Sequence, residues 1–416
     1  MPRQIASEHA EKLYLSAKEA AAELGVNLAT LYAYVSRDMI RSEPVPDSRA
    51  RRYRAEDVRA LKQRRLSAQG GGTPAAGASA GIANFGGAPV LDSAITLISE
   101  GRLYYRGSDA TALARNSSLE QVAALLWGCR DIQPFTRDAL PTPSPTVERL
   151  SADLSAIPRI DRCLALLPLA ALDEPAIYNM TDRGLAATGA RLLRFVAGVI
   201  AGVAPSAEPV HEILARTLTF GDRRAADLIR AALILCADHE LNASAFTVRC
   251  VAGTGATLYA AVQAGICAAQ GPRHGAFTNR VESFLTDMAH RQDLEDAVLH
   301  RLRNGDPVPG FGHPLYPDGD PRAVTLLRMM KESHGDDPAF LRSQRILDVM
   351  EDAGGLKPSI DFAIGALGAT LRMLPGAGLS VFVLGRTAGW IGHAIEQYRS
   401  GQMIRPRARY TGENPR

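Results

Sequence analysis

From Ala88 onward the chain consists of long Ala and Leu runs broken by polar residues, with few alternating β-branched stretches. That periodicity predicts a mostly α fold. Ahead of it, Leu15 to Val26 places apolar residues at helical spacing and ends beside Gly25, where a turn can take positive φ. Asn27 is then placed to cap a second helix, Leu28 to Arg37, and a further helix is expected at Ala55 to Lys62. Between these patterns and the long helical region, Ala68 to Gly87 is rich in Gly, Ala and Ser and poor in large apolar residues. Such a stretch cannot bury enough surface to hold a structure and reads as a flexible tether. The expected division is a small unit at 1–66, a linker at 67–87 and a large helical body at 88–416.

Shorter signals refine the body. Leu103 to Gly107 reads as a strand or turn, and Ser118 as the N-cap of a helix running on from Leu119. Cys250 to Pro272 has no charged residue, but its Ala, Gly, Thr and Gln content is too weakly apolar for a membrane span. It reads as a buried helix that another helix approaches closely. No membrane association is expected.

A chain of 416 residues with 46% apolar content exceeds what one core usually organises. The formal net charge of +3 is unevenly spread, because residues 1–65 carry a surplus of 4 positive charges. The five cysteines show neither Cys-x-x-Cys pairing nor a zinc-finger histidine spacing, so reduced, buried thiols and no metal site are expected. The N-terminus is polar and lacks an apolar signal core, which points to a cytoplasmic protein.

Several constellations carry chemistry. His239 lies in Ala-Asp-His-Glu-Leu-Asn-Ala-Ser without a second histidine at helix-face spacing, which leaves a satisfied buried histidine and a ligand-binding one both open. His274 lies in Gly-Pro-Arg-His-Gly, where Pro and paired glycines present it on a rigid turn. His313 lies in Val-Pro-Gly-Phe-Gly-His-Pro-Leu-Tyr, followed by Asp-Pro-Arg-Ala at 320–323, a run that composition alone would assign to a surface loop. Asp361, in Ser-Ile-Asp-Phe, is an acid in an apolar stretch, where desolvation raises proton affinity; capping of the following helix is the competing reading. A carboxylate base with two imidazoles suits proton transfer at carbon beside a carbonyl.

With Gly-Arg-Thr-Ala-Gly-Trp at 385–390, these motifs resemble the citrate synthase family, and the likeness extends from about residue 90 to 412. The resemblance implies a two-domain helical fold, with a large domain of 88–273 and 372–416 and a small domain of 274–371. It implies condensation of acetyl-CoA with oxaloacetate to citrate and CoA, a reaction of the tricarboxylic acid cycle, or the 2-methylcitrate synthase reaction with propionyl-CoA. Asp361 would be the base that deprotonates the acyl-CoA, His274 the donor to its thioester oxygen, and His313 the donor to the oxaloacetate carbonyl. His239, Arg322, Arg386 and Arg405 would hold oxaloacetate, with Arg405 reaching in from the neighbouring subunit of a homodimer. The backbone of Val308, Pro309, Gly310, Phe311 and Gly312 would receive CoA. No permanently bound cofactor is implied, the acyl-CoA being a co-substrate. The chain departs from the family's usual Gly-Gly-Ala-Asn after His274, having Gly275-Ala276-Phe277-Thr278, and carries Ser359 where Asn is commoner.

Residues 13–65 resemble the DNA-binding domain of MerR-type and excisionase-like proteins, in which an Arg-Arg-Tyr strand precedes a short Glu-Asp-Val helix. That likeness implies a helix-turn-helix module with Thr30 and Tyr32 on the recognition helix and Arg51 and Arg52 at phosphates. DNA binding and a retained interaction module both remain open. A DNA-binding, metabolite-responsive regulator built on an enzyme fold is the alternative to an enzyme.

Overall fold

The computed structural model describes residues 14–24, 26, 28–36, 40–44, 51–55, 57–59, 61, 91–129, 131–174, 176–222, 224–406 and 410–413. The tether expected at 67–87, the turn residues Gly25 and Asn27, and Arg49, Arg407 and Arg409 lie outside them. The described residues fall into two compact units, 14–61 and 91–413.

The first unit runs β1 (Tyr14–Ser16), α1 (Ala17–Leu24), α2 (Leu28–Ser36), β2 (Ser42–Pro44) and β3 (Arg51–Arg54). Its antiparallel sheet has the order β1-β3-β2, with Leu15 opposite Tyr53. The first helix therefore starts two residues later than its apolar spacing predicts, because Leu15 is spent in a strand. Ser16 and Glu19 form a reciprocal cap there: the Ser16 N–H donates to the Glu19 carboxylate at 2.8 Å, and the Glu19 N–H donates to Ser16 Oγ at 3.3 Å. Leu15, Ala20, Leu24, Leu31, Ile40, Tyr53, Val58 and Leu61 make a core of their own.

The second unit opens with the meander β4 (Thr96–Ser99), β5 (Arg102–Tyr105) and β6 (Ser108–Asp109), in the order β4-β5-β6. Then follow α3 (Ala110–Asn116), α4 (Leu119–Leu126), α5 (Pro145–Asp153), α6 (Arg159–Leu172), α7 (Asp182–Ala201), α8 (Val210–Leu218), α9 (Ala225–Leu235), α10 (Ala243–Gly253) and α11 (Leu258–Ala269). The chain closes with α12 (Phe277–Ala289), α13 (Leu294–Arg303), α14 (Pro321–His334), α15 (Pro338–Gly354), α16 (Ile360–Thr370) and α17 (Ala377–Ser400). Ser118 does cap α4, in a full capping box with Gln121.

Two helices act as hubs. Every residue of α17 from Ala377 to Ile395 is buried, and α4, α7, α9, α10 and α11 pack around it. Helix α16 is nearly as buried and gathers α12, α14 and α15. Close approach to α17 requires Gly389: a Cβ there would lie 2.3 Å from the Ala237 carbonyl oxygen and 2.5 Å from Asp238 Oδ1. Any larger residue would push the 237–239 turn away from the helix.

The uncharged stretch Cys250–Pro272 is two helices rather than one. The first ends at Gly253, Gly255 takes φ +82°, and Thr257 caps the second through its side chain. Both pack on α17. Of the cysteines, Cys163 and Cys236 are buried, Cys129 and Cys250 half-buried and Cys267 exposed, so the uniform burial expected of them is not found; all are free. Among the described residues one helix, Asp182–Ala201, is long and apolar enough to cross a membrane, and 83% of its apolar window is buried inside the protein.

Candidate active site

His239 follows α9 in a tight turn. Glu240 takes φ +55°, an uncommon left-handed conformation for a residue with a side chain. His239 is buried there while Glu240 is exposed. His239 Nε2 lies 2.9 Å from the Tyr316 hydroxyl, and its ring meets that of His313 edge-on at 5.3 Å. Burial holds its pKa well below the usual histidine value, and the Arg322 and Arg386 charges push the same way.

His313 is set by the turn around it. The Leu315 N–H donates to its Nδ1 at 3.2 Å, so a neutral ring carries its proton on Nε2. Burial, aided by Arg322, lowers its pKa to about 4. Tyr316 lies against both imidazoles, with ring centroids 5.6 Å from His239 and 5.0 Å from His313. Arg322 in turn sits 5.5 Å over the Tyr316 ring.

Arg322 and Arg386 are both 2% exposed. Asp320 grips Arg322 through two bonds, Nε to Oδ1 at 2.9 Å and Nη2 to Oδ2 at 2.8 Å. Burial works against the Arg322 charge, and Asp320 more than offsets it. Arg386 is held differently: its Nε donates to the Cys236 carbonyl at 2.7 Å, and its guanidinium lies 5.0 Å from the Phe382 ring. Among the described residues its two Nη groups make no hydrogen bond or ion pair, so they remain available to a ligand.

His274 is presented by the 271–276 turn, its N–H donating to the Gly271 carbonyl at 2.9 Å. Its ring meets Phe382 edge-on at 5.8 Å, and its Nε2 lies 2.7 Å from Ser244 Oγ. That hydroxyl also accepts from Trp390 Nε1 at 3.0 Å. Burial and then Arg386 lower the His274 pKa to about 4. All three histidines are therefore neutral near pH 7.

Asp361 stands in the first turn of α16, where the helix N-terminus favours an anion. Among the described residues its one side-chain hydrogen-bond partner is weak, Ser359 Oγ at 3.5 Å, beside its own backbone N–H. Burial pushes its pKa up to about 6; Arg322 opposes the rise and Asp320 adds to it. The preceding loop is stitched to this segment: the Ser359 N–H donates to the Gly310 carbonyl, and the Gly312 N–H to the Lys357 carbonyl, both at 2.8 Å. Phe311 packs on Phe362 at 4.8 Å. Gly310 has φ +91°, and a Cβ there would lie 2.7 Å from the Phe362 Cβ. Val308 to Phe311 are thus buried, not the surface loop their composition indicates.

Six of the expected site residues are joined by these contacts and by mutual electrostatic influence: His239, His274, His313, Arg322, Asp361 and Arg386. Arg405 is exposed and makes no hydrogen bond or ion pair with them. In the first unit, Tyr32 is 51% exposed. Arg51 bonds Ser42, while Arg52 pairs with Glu43 at 3.0 Å and lies 4.3 Å over the Tyr14 ring. Those two guanidinium groups already have intramolecular partners. Thr30 lies within α2.

The structure adds Ser244, Tyr316, Asp320 and Phe382 to the site. Phe382 precedes Arg386 by one helical turn, a spacing that could have marked it. A separate cavity of about 330 Å³, lined by Val147, Arg162, Leu166, Phe195, Val199 and Val203 among others, shares no residue with the site.

The family model "Citrate synthase, C-terminal domain" matches residues 84–407. "Citrate synthase 2" of Bacillus subtilis is 29% identical over 352 residues, covering 78% of this chain and 94% of that protein. "Citrate synthase" of Haloferax volcanii is 31% identical over 379 residues, covering 79% and 94%. "2-methylcitrate synthase 1" of Corynebacterium glutamicum is 28% identical over 352 residues, covering 80% and 84%. Among solved structures, citrate synthase from Thermotoga maritima superposes with a TM-score of 0.65 at 24% identity, covering 79% of this chain and 94% of that one. The ternary complex of carboxymethyl coenzyme A and oxaloacetate with the Thermoplasma acidophilum citrate synthase gives a TM-score of 0.65 at 20% identity, covering 79% and 95%. The chain belongs to the citrate synthase family and is a transferase of the citrate synthase type.

Proposed function

We propose that this enzyme condenses acetyl-CoA with oxaloacetate to give citrate and CoA. The observation that carries this reading is Asp361, a carboxylate starved of hydrogen bonds, raised to about pKa 6 and set among neutral imidazoles and two buried arginines. Asp361 takes a proton from the acyl methyl group. The developing enolate oxygen receives a hydrogen bond from His274. Asn242 Oδ1 accepts the N–H groups of Ser244 and Ala245, each at 3.1 Å, and the Ser244 hydroxyl lies 2.8 Å from the same oxygen and 2.7 Å from His274 Nε2. With that hydroxyl turned to His274, the imidazole keeps Nδ1–H as its donor to the thioester oxygen.

The enol attacks the keto carbon of oxaloacetate, polarised by Nε2–H of His313. His239, Arg322 and Arg386 hold the dicarboxylate, and the citryl thioester is then hydrolysed. Arg405, exposed in one protomer, completes the site from the neighbouring subunit of a homodimer. Val308, Pro309, Gly310, Phe311 and Gly312 receive CoA. Closure of a small domain, 274–371, on a large domain, 88–273 with 372–416, keeps water from the acyl-CoA until condensation is done.

Propionyl-CoA differs by one methylene, a discrimination of only about 1–3 kcal/mol. The Corynebacterium relative named as a 2-methylcitrate synthase supports that second reading. Thiol release measured with acetyl-CoA and propionyl-CoA against oxaloacetate tests both. Equal, background-level release with either ester overturns the proposal. For the N-terminal unit we propose a helix-turn-helix module that contacts DNA, with Tyr32 outward. A gel shift against the upstream region of its own gene checks it, and no shift at low salt rejects it.

A further inference from the structure

Behind the oxaloacetate residues lies a closed circuit of polar groups, running from buried Asp238, His393 and Arg249 out to half-buried Glu396 and Thr96 and exposed Ser93, that the reaction itself does not use. Thr96 Oγ1 donates to Asp238 Oδ2 at 2.6 Å. Asp238 Oδ1 faces His393 Nε2 at 3.2 Å, and among the described residues neither of these two fully buried atoms makes a hydrogen bond, so this contact is all that each has. Arg249 Nε donates to His393 Nδ1 at 2.9 Å, which makes His393 a neutral ring with its proton on Nε2, toward Asp238. Arg249 also pairs with Glu396. Glu396 accepts from Ser93 Oγ at 2.8 Å and from the Ala94 N–H at 2.9 Å. Ala94 leads two residues later to Thr96, and the ring is closed.

This circuit ties the N-terminal end of β4, α10, α17 and the 237–239 turn together, and two of its neighbours are proposed oxaloacetate ligands. His239 follows Asp238 in the chain. Arg386 lies two helical turns before His393, on the same face of α17. With His393 neutral, the ring's two carboxylates and one guanidinium leave one negative charge, and Asp238 opposes part of what burial does to Arg386, whose pKa stays below the usual arginine value. The two arginines are thus neutralised by different devices. Arg322 has Nε and Nη2 occupied by its own acid, whereas Arg386 is only partly compensated by an acid it does not bond, and its Nη groups make no hydrogen bond or ion pair among the described residues.

We propose that Asp238 and His393 are positioning residues for oxaloacetate, holding the His239 turn against α17 so that His239 and Arg386 present a fixed geometry to the dicarboxylate. The inference rests on the condensation reading. The ring is built from side chains of four separate segments, two of its atoms have only each other, and Gly389 is needed to let the two backbones meet.

The test uses the full-length protein with His393→Ala and His393→Gln. Glutamine can accept from Arg249 through its oxygen and donate to Asp238 through its nitrogen, so it rebuilds the circuit, and alanine opens it. Alanine is expected to raise KM for oxaloacetate about tenfold, the loss of one buried hydrogen bond to a charge. kcat should stay within about threefold and KM for acyl-CoA unchanged, and glutamine should restore most of the oxaloacetate KM. Unchanged KM in His393→Ala, or no rescue by glutamine, overturns the proposal.

Should the alanine variant not fold, Thr96→Val and Thr96→Ser ask the same question at the half-buried opposite donor. Valine is expected to weaken oxaloacetate binding by calorimetry about fivefold and serine to preserve it; equal affinities overturn the proposal. A wild-type protein that releases no CoA thiol refutes the condensation reading, whereas active wild type with unchanged oxaloacetate KM in the variants refutes only the positioning role.

Discussion

Asp320 and Asp361 stand at the starts of two neighbouring helices, α14 and α16, and have opposite surroundings. Asp320 accepts four hydrogen bonds: the Arg322 N–H at 3.0 Å, Arg322 Nε at 2.9 Å, Arg322 Nη2 at 2.8 Å and the Ile360 N–H at 2.9 Å. Asp361 has a single hydroxyl at 3.5 Å. A carboxylate whose lone pairs are filled is a fixed anion that pins two segments together. One buried without them holds its proton tightly and, once ionised, takes one readily. Two neighbouring helix starts in one protein thus yield a strut and the proposed base from the same side chain.

Substituting each acid by its amide separates the two roles. Asp361→Asn should lower kcat by about 10²–10⁴, the usual worth of a general base. A loss smaller than tenfold in the thiol-release assay would remove Asp361 from the chemistry. Asp320→Asn should instead destabilise the fold by about 3–5 kcal/mol in urea unfolding, since it strands the buried Arg322 charge. A variant as stable as wild type would show that the pair is not the strut described here.

The pH dependence sharpens the contrast. The base must be ionised, so kcat/KM for the acyl-CoA should fall about tenfold per unit below pH 6, where Asp361 gains its proton. His274 and His313, held to about 4, stay neutral across that range and contribute no limb there. A limb near 4 would mean that Asp361 is as well solvated as an ordinary acid. Stability should move the opposite way to activity. A carboxyl group whose pKa is raised on folding stabilises the folded state while protonated, and that contribution is lost as pH rises from about 4 through about 6. Asp361→Asn should therefore be more stable than wild type at pH 8 by on the order of 2 kcal/mol, with the gain vanishing near pH 4. Equal melting curves at pH 8 would contradict the starved environment.

The smallest effect is expected from Ser359→Ala, which removes the one hydroxyl near Asp361. The acid limb should move up by about half a pH unit, and no movement would show that the 3.5 Å contact contributes nothing.

Much of the site was legible because its motifs are local. His274, His313, Arg322, Asp361 and Arg386 each sit in a short run of Gly, Pro and charged residues, and the structure brings all five together with His239. Their neighbours were harder to read. Ser244 reaches His274 across 30 residues, His393 reaches Asp238 across 155, and Phe382 touches His274 from another helix. No spacing rule links such pairs. The buried 308–311 loop was misread for the same reason: Gly and Pro mark the turn, but the facing strand segment at 357–359 decides that it is covered.

By itself the amino-acid order determined the mostly helical class, the cap at Ser118, and the residue types able to move a proton, because these depend on periodicity and on near neighbours in the chain. Only the tertiary structure decided which acid is left without strong donors and so suits the proposed base. Asp320 and Asp361 are the same residue at the start of a helix, but Asp320 is filled by the backbone and folded-back guanidinium of Arg322, two residues on, and by the Ile360 N–H from 40 residues away, donors that the packed fold turns toward it and not toward Asp361.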